Sequence, residues 1–251
     1  MCIYNYFGNK KILIIGASSD LAKELNESLY QSGAKLGLHY NSNIGPLNKF
    51  DDDRVLKIQK DLSIQKNCHS VVDEFHDWAD GIDCLVQLSG GISHANYPDE
   101  LTEQDVWYDL NINLIAPFFL AQRAIYYFKK NKTSGKIVMM SNAGASHGGG
   151  SKTLIYGVAK AGIERLVRGL AKDCAGSNIL VNAVAPGFIT SKIHTEKMNR
   201  SEQDIVDRVK MIPLKRAGTS REVSETIMFL LSESATYITG ETITVSGGDW
   251  L

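Results

Sequence analysis

Ile12-Leu13-Ile14-Ile15-Gly16-Ala17-Ser18-Ser19-Asp20-Leu21-Ala22 is the stretch that sets the reading of the whole chain. Four consecutive apolar residues end at a glycine, the pattern of a strand buried on both faces of a parallel sheet. Leu21, Leu25 and Leu29 then recur at helical spacing, and Gly33 closes the helix. Leu36, Leu38 and Tyr40 alternate with Lys35, Gly37 and His39 as a second strand, and 55–58 reads as a third. Cys68, Val71, Val72, Phe75 and Ala79 fit a second helix, and 82–88 a fourth strand ending at Gly90-Gly91.

The second half keeps the rhythm. The spacing predicts helices over 114–128, 153–174 and 221–231, the first of them tolerating Pro117. Strands are expected over 137–140, 179–184 and 243–245, the middle one stopping at Pro186-Gly187. Strand, helix, strand repeated in this way implies right-handed crossovers. The class is α/β, a doubly wound parallel sheet with helices on both faces. Ligands in such sheets bind at the carboxyl ends of the strands, which directs attention to the loops after Ile15, Tyr40, Ile58, Leu88, Met140 and Val184.

The bulk properties narrow the function. The 251 residues are 43% hydrophobic and 22% charged, which excludes a disordered chain, a collagen-like chain and a disulfide miniprotein. With 27 Lys+Arg against 28 Asp+Glu the net charge is -1, so neither a nucleic acid nor a membrane surface is an expected partner. Cys2, Cys68, Cys84 and Cys174 form no C-x-x-C pair. No metal site is expected, and the thiols read as buried hydrophobes of a reducing compartment. No apolar run approaches the ~20 residues of a membrane span. The N-terminus lacks the charged start and apolar run of a signal peptide, so the expected location is the cytoplasm.

The loop after the first strand has the place of a dinucleotide-binding turn, in which backbone amides face a pyrophosphate. Gly16, Ser18 and Ser19 suit that role, while Asp20 and Ala22 stand where glycines are expected. Asp20 is placed to N-cap the helix, but its carboxylate disfavours a nearby anion unless turned away. Taken alone, the loop is equally a plain strand–helix turn.

More specific signals lie downstream. Tyr156 and Lys160 form a Y-x-x-x-K pair inside YGVAKAGI, preceded by a strand ending at Ser141 and followed by VNAVAPGFITS. The C-terminal part reads IPLKRAG, then FLLSESATYITGETITVSGG. In this order and spacing the chain, from Lys10 to Leu251, resembles the short-chain dehydrogenase/reductase family. It is most similar to the branch that includes 3-oxoacyl-carrier-protein reductases. The resemblance implies one NAD(P)-binding Rossmann-type domain over 1–251, with a substrate lid near 192–212. It implies Tyr156 as the general acid, Lys160 as the cation that tunes it from one helical turn away, and Asn113 as a support for a proton-relay water. It places Gly16, Ser18, Ser19 and Leu21, then Asp61-Leu62 beside the adenine, then Ser89 and Gly90, on the cofactor. Pro186, Gly187, Ile189 and Ser191 would hold the nicotinamide amide. It also implies a homotetramer, built through helices 114–130 and 153–175 and the last strand.

Departures accompany these matches. Ile15, Asp20 and Ala22 replace three of the four residues in the family's T-G-x-x-x-G-x-G turn, and N-N-A-G appears as Gln87-Leu88-Ser89-Gly90. The family's I-S-S reads Met140-Ser141-Asn142. Counting from Gly135 puts Asn142 in the catalytic serine's place, whereas counting back from Tyr156 indicates an insertion. Ser141 is the first choice, with Asn142 and Ser146 as further candidates. The loop after the second strand, Tyr40-Asn41-Ser42-Asn43, lacks the acid that NAD-selective enzymes place on the ribose. Asn41 and Ser42 can instead donate to a 2'-phosphate, so NADP(H) is expected over NAD(H).

The expected activity is therefore hydride transfer between NADP(H) and a carbonyl/alcohol pair. A non-catalytic or weakly active nucleotide-binding homologue is the alternative. A serine hydrolase is a third reading. It rests on the G-x-S-x-G match Gly144-Ala145-Ser146-His147-Gly148, but a nucleophile elbow needs a helix starting at the serine, and none is expected before Thr153. His94 and His147 follow strand ends and read as loop residues near the substrate opening.

Overall fold

The computed structural model describes residues 6–148, 150, 152–190 and 201–249. Among them seven strands form one parallel sheet: β1 (Lys11–Ile15), β2 (Lys35–Tyr40), β3 (Val55–Gln59), β4 (Cys84–Gln87), β5 (Gly135–Met140), β6 (Ile179–Pro186) and β7 (Thr242–Val245). Their order is β3-β2-β1-β4-β5-β6-β7. β1 pairs with β2 on one side and β4 on the other, so the chain reverses its winding there and opens a crevice at the strand ends. Ile12, Leu13, Ile14 and Ile15 are all fully buried, which accounts for the unbroken apolar run.

Helices cover both faces. α2 (Gln65–Ala79), α4 (Ala116–Asn131) and α5 (Leu154–Cys174) pack on one, burying Phe75, Leu120 and Ile163 with Leu13, Leu85 and Val181. α1 (Lys23–Gln31) and α7 (Ser220–Leu231) pack on the other, burying Leu25, Leu29, Ile227 and Leu231 with Ile12, Ile14 and Val86. α3 (Glu103–Leu110) and α6 (Glu202–Met211) complete the set. No described helix is long and apolar enough to cross a membrane, and no described cluster of His, Cys, Asp or Glu could hold a metal.

Two local expectations are corrected. Ser19, not Asp20, caps the turn that leads into α1: its Oγ accepts from the Ala22 amide, and Asp20 is the first residue of that 3-10 turn. The helix expected from Leu114 begins earlier, because α3 runs through a π turn at Asn111–Ile115 into α4. Pro117 has no N–H to return to the Asn113 carbonyl four residues back, so the α-helical ladder cannot run unbroken through this segment.

Candidate active site

α5 enters at the carboxyl ends of β5 and β6 and carries Tyr156 and Lys160 on one face, one turn apart. Lys160 is 2% exposed, and its Nζ donates to the Met140 carbonyl at 2.9 Å. The ammonium lies 5.6 Å from the centre of the Tyr156 ring. Burial pulls the lysine down to about 8, because a buried cation lacks water. Enclosure pushes the Tyr156 phenol up to about 12; a hydrogen bond with Asn142 works against this, and the Asp109 charge adds to it.

Asn113 sits in the π turn with no exposed surface. Its Oδ1 accepts from the Gly91 amide at 3.1 Å, and its Nδ2 donates to the Gly91 and Asp109 carbonyls at 2.7 and 2.8 Å. The side chain thus clips the loop after β4 to the α3–α4 junction. A Cβ on Gly90 would lie 2.8 Å from Asn113 Oδ1 and 3.3 Å from Lys160 Nζ, so only glycine lets these groups converge.

The loop after β1 is braced by side chains where glycines were expected. Gly16 adopts φ +77, and a Cβ there would meet the Ser89 amide at 2.8 Å. Ser19 Oγ donates to the Gly16 carbonyl at 2.9 Å, and buried Asn26 donates to the Ala17 carbonyl at 2.7 Å. Ala22 is fully buried, its methyl filling the space a third glycine would leave.

Ser141 and Asn142 take different roles. The Ser141 hydroxyl is engaged with the Lys160 carbonyl at 3.1 Å and Glu164 Oε1 at 3.0 Å, and the residue is 2% exposed. Asn142 directs its side chain to the Tyr156 phenol, while its Oδ1 accepts from the Gly144 amide at 2.9 Å. Ser146 is exposed in the 3-10 turn Ala143–His147, its hydroxyl donating to the Ala143 carbonyl at 3.3 Å. Among the described residues no α-helix starts between Ser146 and Leu154, so no nucleophile elbow is seen there.

One cleft of about 250 Å³ joins these parts. Ser19, Asp20 and Leu21 line it from the loop after β1, Gly90 from the loop after β4, Ser141, Asn142, Tyr156 and Lys160 from the end of β5 and from α5, and Pro186, Gly187, Ile189 and Thr190 from the end of β6. A Cβ at Gly187 would meet Ser246 Cα at 2.8 Å. Three loops thus bring bare backbone to the cleft, an arrangement that fits a nicotinamide nucleotide lying across the strand ends.

The comparisons with known proteins agree with this geometry. The family model described as "Enoyl-(Acyl carrier protein) reductase" matches residues 16–249. The chain is 32% identical over 247 residues to an uncharacterized oxidoreductase, YmfI, of Bacillus subtilis, covering 96% of this chain and 98% of the relative. It is 30% identical over 251 residues to a 3-oxoacyl-[acyl-carrier-protein] reductase, FabG, of Staphylococcus epidermidis, covering 97% and 100%. The chain belongs to the short-chain dehydrogenase/reductase family, in its FabG-like branch.

Among solved structures, a short-chain dehydrogenase/reductase of the glucose/ribitol dehydrogenase type from Brucella melitensis superposes with a TM-score of 0.88 at 28% identity, over 98% of both chains. Membership of the short-chain dehydrogenase/reductase family makes this an oxidoreductase fold that takes a nicotinamide cofactor. Of the expected cofactor residues, Ser19, Leu21, Gly90, Tyr156, Lys160, Pro186, Gly187 and Ile189 meet in the cleft. Ser18 and Ser89 flank it on the β1 and β4 loops, with the Gln87 amide donating to Ser89 Oγ at 2.9 Å. Asn41, Ser42 and Asp61 are exposed beyond β2 and β3, outside the cleft, and Asp61 Oδ1 holds the Ser63 amide at 2.9 Å. Leu62 is buried beside it. Ser191 and lid positions 192–200 lie outside the described residues.

Three residues escaped the sequence reading. Glu164 was hidden because it pairs with Ser141 across the fold, although it continues the Tyr156–Lys160 face at i+4. Asp109 and Asp105, buried on α3, pin the loop after β4 through the Ser93 amide at 2.8 Å and His94 Nδ1 at 2.6 Å. Their i, i+4 spacing was the available signal.

Proposed function

We propose that the protein transfers hydride between NADP(H) and a carbonyl/alcohol pair, with Tyr156 exchanging the proton. The observation that carries this is the buried Lys160 ammonium 5.6 Å from the Tyr156 ring centre, in the cleft that also holds the Pro186-Gly187 backbone. When bound, the nicotinamide supplies or accepts the hydride. Tyr156 then donates its proton to the carbonyl oxygen, and Lys160 offsets the charge that develops on the phenol. Asn113 holds the Gly91 N–H and carbonyl, which fixes the loop after β4 close against Lys160. The substrate is a small-molecule carbonyl or alcohol, and residues 192–212 serve as its lid over a single cofactor-binding domain.

NADP(H) is favoured because no carboxylate stands at Asn41, Ser42 or Asn43, where one would repel a 2'-phosphate. A homotetramer is supported by apolar side chains left exposed near α4 and α5, among them Ile115, Tyr126 and Val158. The cytoplasm is the compartment that suits reduced thiols at Cys68, Cys84 and Cys174. The test is nucleotide-dependent reduction across a panel of ketones and acyl thioesters, with NADPH and NADH compared. Turnover with a higher kcat/KM for NADPH is expected. Binding without turnover on every substrate would favour the non-catalytic alternative.

A further inference from the structure

We propose that Asn142, not Ser141, is the catalytic donor that fixes the substrate oxygen, which leaves Tyr156 as the single proton source. This rests on the oxidoreductase reading above.

Side chains alternate along a strand, so adjacent residues at its end point opposite ways. Met139 and Met140 already belong to opposite cores, and the Ser141 amide still follows the ladder, donating to the Val184 carbonyl at 2.9 Å. Ser141 therefore turns under α5, where Lys160 and Glu164, one turn apart, share its hydroxyl. A hydroxyl has one proton, and although Ser141 borders the cleft together with Asn142, its hydroxyl is taken up by a carbonyl and a carboxylate. Asn142, the next residue, lines the same cleft and directs its side chain to the Tyr156 phenol instead.

The orientation of its amide is set by a backbone partner. Oδ1 accepts from the Gly144 amide at 2.9 Å, so a flipped amide would place NH2 against N–H. Nδ2 is thereby turned toward Tyr156, where donation favours the phenolate. A planar NH2 carries two protons. One serves the phenol oxygen, and the other is available to a substrate oxygen bound beside it.

This differs chemically from a serine. An amide nitrogen donates but does not accept, so it cannot pass a proton on. In reduction, hydride from the reduced nicotinamide forms the new C–H bond at the carbonyl carbon. The C=O π pair moves to oxygen, and oxygen takes the Tyr156 proton. The resulting phenolate is held by the Asn142 N–H and the Lys160 ammonium.

The experiment measures ketone reduction with NADPH, and NADPH Kd by fluorescence, for Asn142→Ala, Asn142→Ser, Asn142→Asp and Ser141→Ala, with circular dichroism as a check of folding. Asn142→Ala is expected to lower kcat by about 10²–10³-fold, the usual cost of one oxyanion donor, with NADPH Kd within about threefold. Asn142→Ser restores kcat to within about tenfold of the native protein, because a hydroxyl also donates. Asn142→Asp falls below Asn142→Ala, because a carboxylate repels the developing phenolate. Ser141→Ala stays within about threefold. A Ser141→Ala loss equal to that of Asn142→Ala, or an unchanged kcat in Asn142→Ala, overturns the assignment while leaving the oxidoreductase reading in place. A native protein that reduces no ketone or thioester overturns both.

Discussion

The Gly16 amide donates to His39 Nδ1 at 3.2 Å, which leaves the imidazole proton on Nε2, facing the Lys60 carbonyl at 2.9 Å. The ring is 3% exposed and ties the ends of β1, β2 and β3 together beneath the loop after β1. Both nitrogens are committed, so a second proton would set a donor on Nδ1 against the Gly16 N–H. Burial holds the folded-state pKa below the ordinary 6.5.

A pH dependence follows. The unfolded chain takes up the proton first, so stability falls as pH drops below about 6.5 and is unaffected by this group above it. One such group contributes a slope of at most about 1.4 kcal/mol per pH unit. Urea unfolding of native protein and His39→Gln at several pH values should show a flatter acid limb in the variant. Parallel acid limbs would contradict the assignment.

Tyr156 and Lys160 give a pH–rate prediction. With the phenol pushed up to about 12, it stays protonated for reduction at neutral pH. Lys160, pulled down to about 8, loses the charge that offsets the phenolate as pH rises through that value. For reduction, kcat/KM, which reports the free enzyme, should be level below about 8 and fall above it. Alcohol oxidation, which needs the phenolate, should instead be slow at neutral pH. A reduction profile rising through this range would contradict the roles given.

Gly90→Ala tests the convergence behind the site. The added methyl must displace Asn113 Oδ1, 2.8 Å away, and crowd Lys160 Nζ at 3.3 Å. A misplacement of this size costs about 10²-fold in kcat/KM, with the melting temperature changed little. Retained activity would show that the approach is not needed.

Gly37→Ala should act on stability alone. In β2 its Cβ would lie 2.4 Å from Phe75 Cδ2 and 2.9 Å from Leu13 Cδ1, within the packed face shared with α2. Overpacking of this kind costs about 1–3 kcal/mol, read as a lower denaturation midpoint with an unchanged slope. An equally stable variant would mean that Phe75 moves freely.

The strands and helices were legible where burial imposes a simple period. Ile12 to Ile15 read as a central strand because both faces of β1 are covered, and Ile163 and Val167 read as the inner face of α5. The π turn at Asn111–Ile115 was not, because Pro117 could be accommodated either as the first turn of a helix or as an interruption within one. Long-range pairings were also hidden: His39 meets Gly16 across 23 positions, and Ser141 meets Glu164 across the same number. The choice between Ser141 and Asn142 turned on a single residue of register. The longer loop before Tyr156 hid that register, and the assignment to Asn142 proposed above rests on the alternation along β5.

The most direct test of the central claim is reduction of a ketone by NADPH carrying deuterium at the transferable position, with the alcohol analysed by mass spectrometry in native protein and Tyr156→Phe. The account predicts one deuterium on the carbinol carbon and a rate about 10²–10⁴-fold lower in the variant, with nucleotide affinity retained. Alcohol without deuterium, or a Tyr156→Phe variant as fast as the native protein, would contradict it.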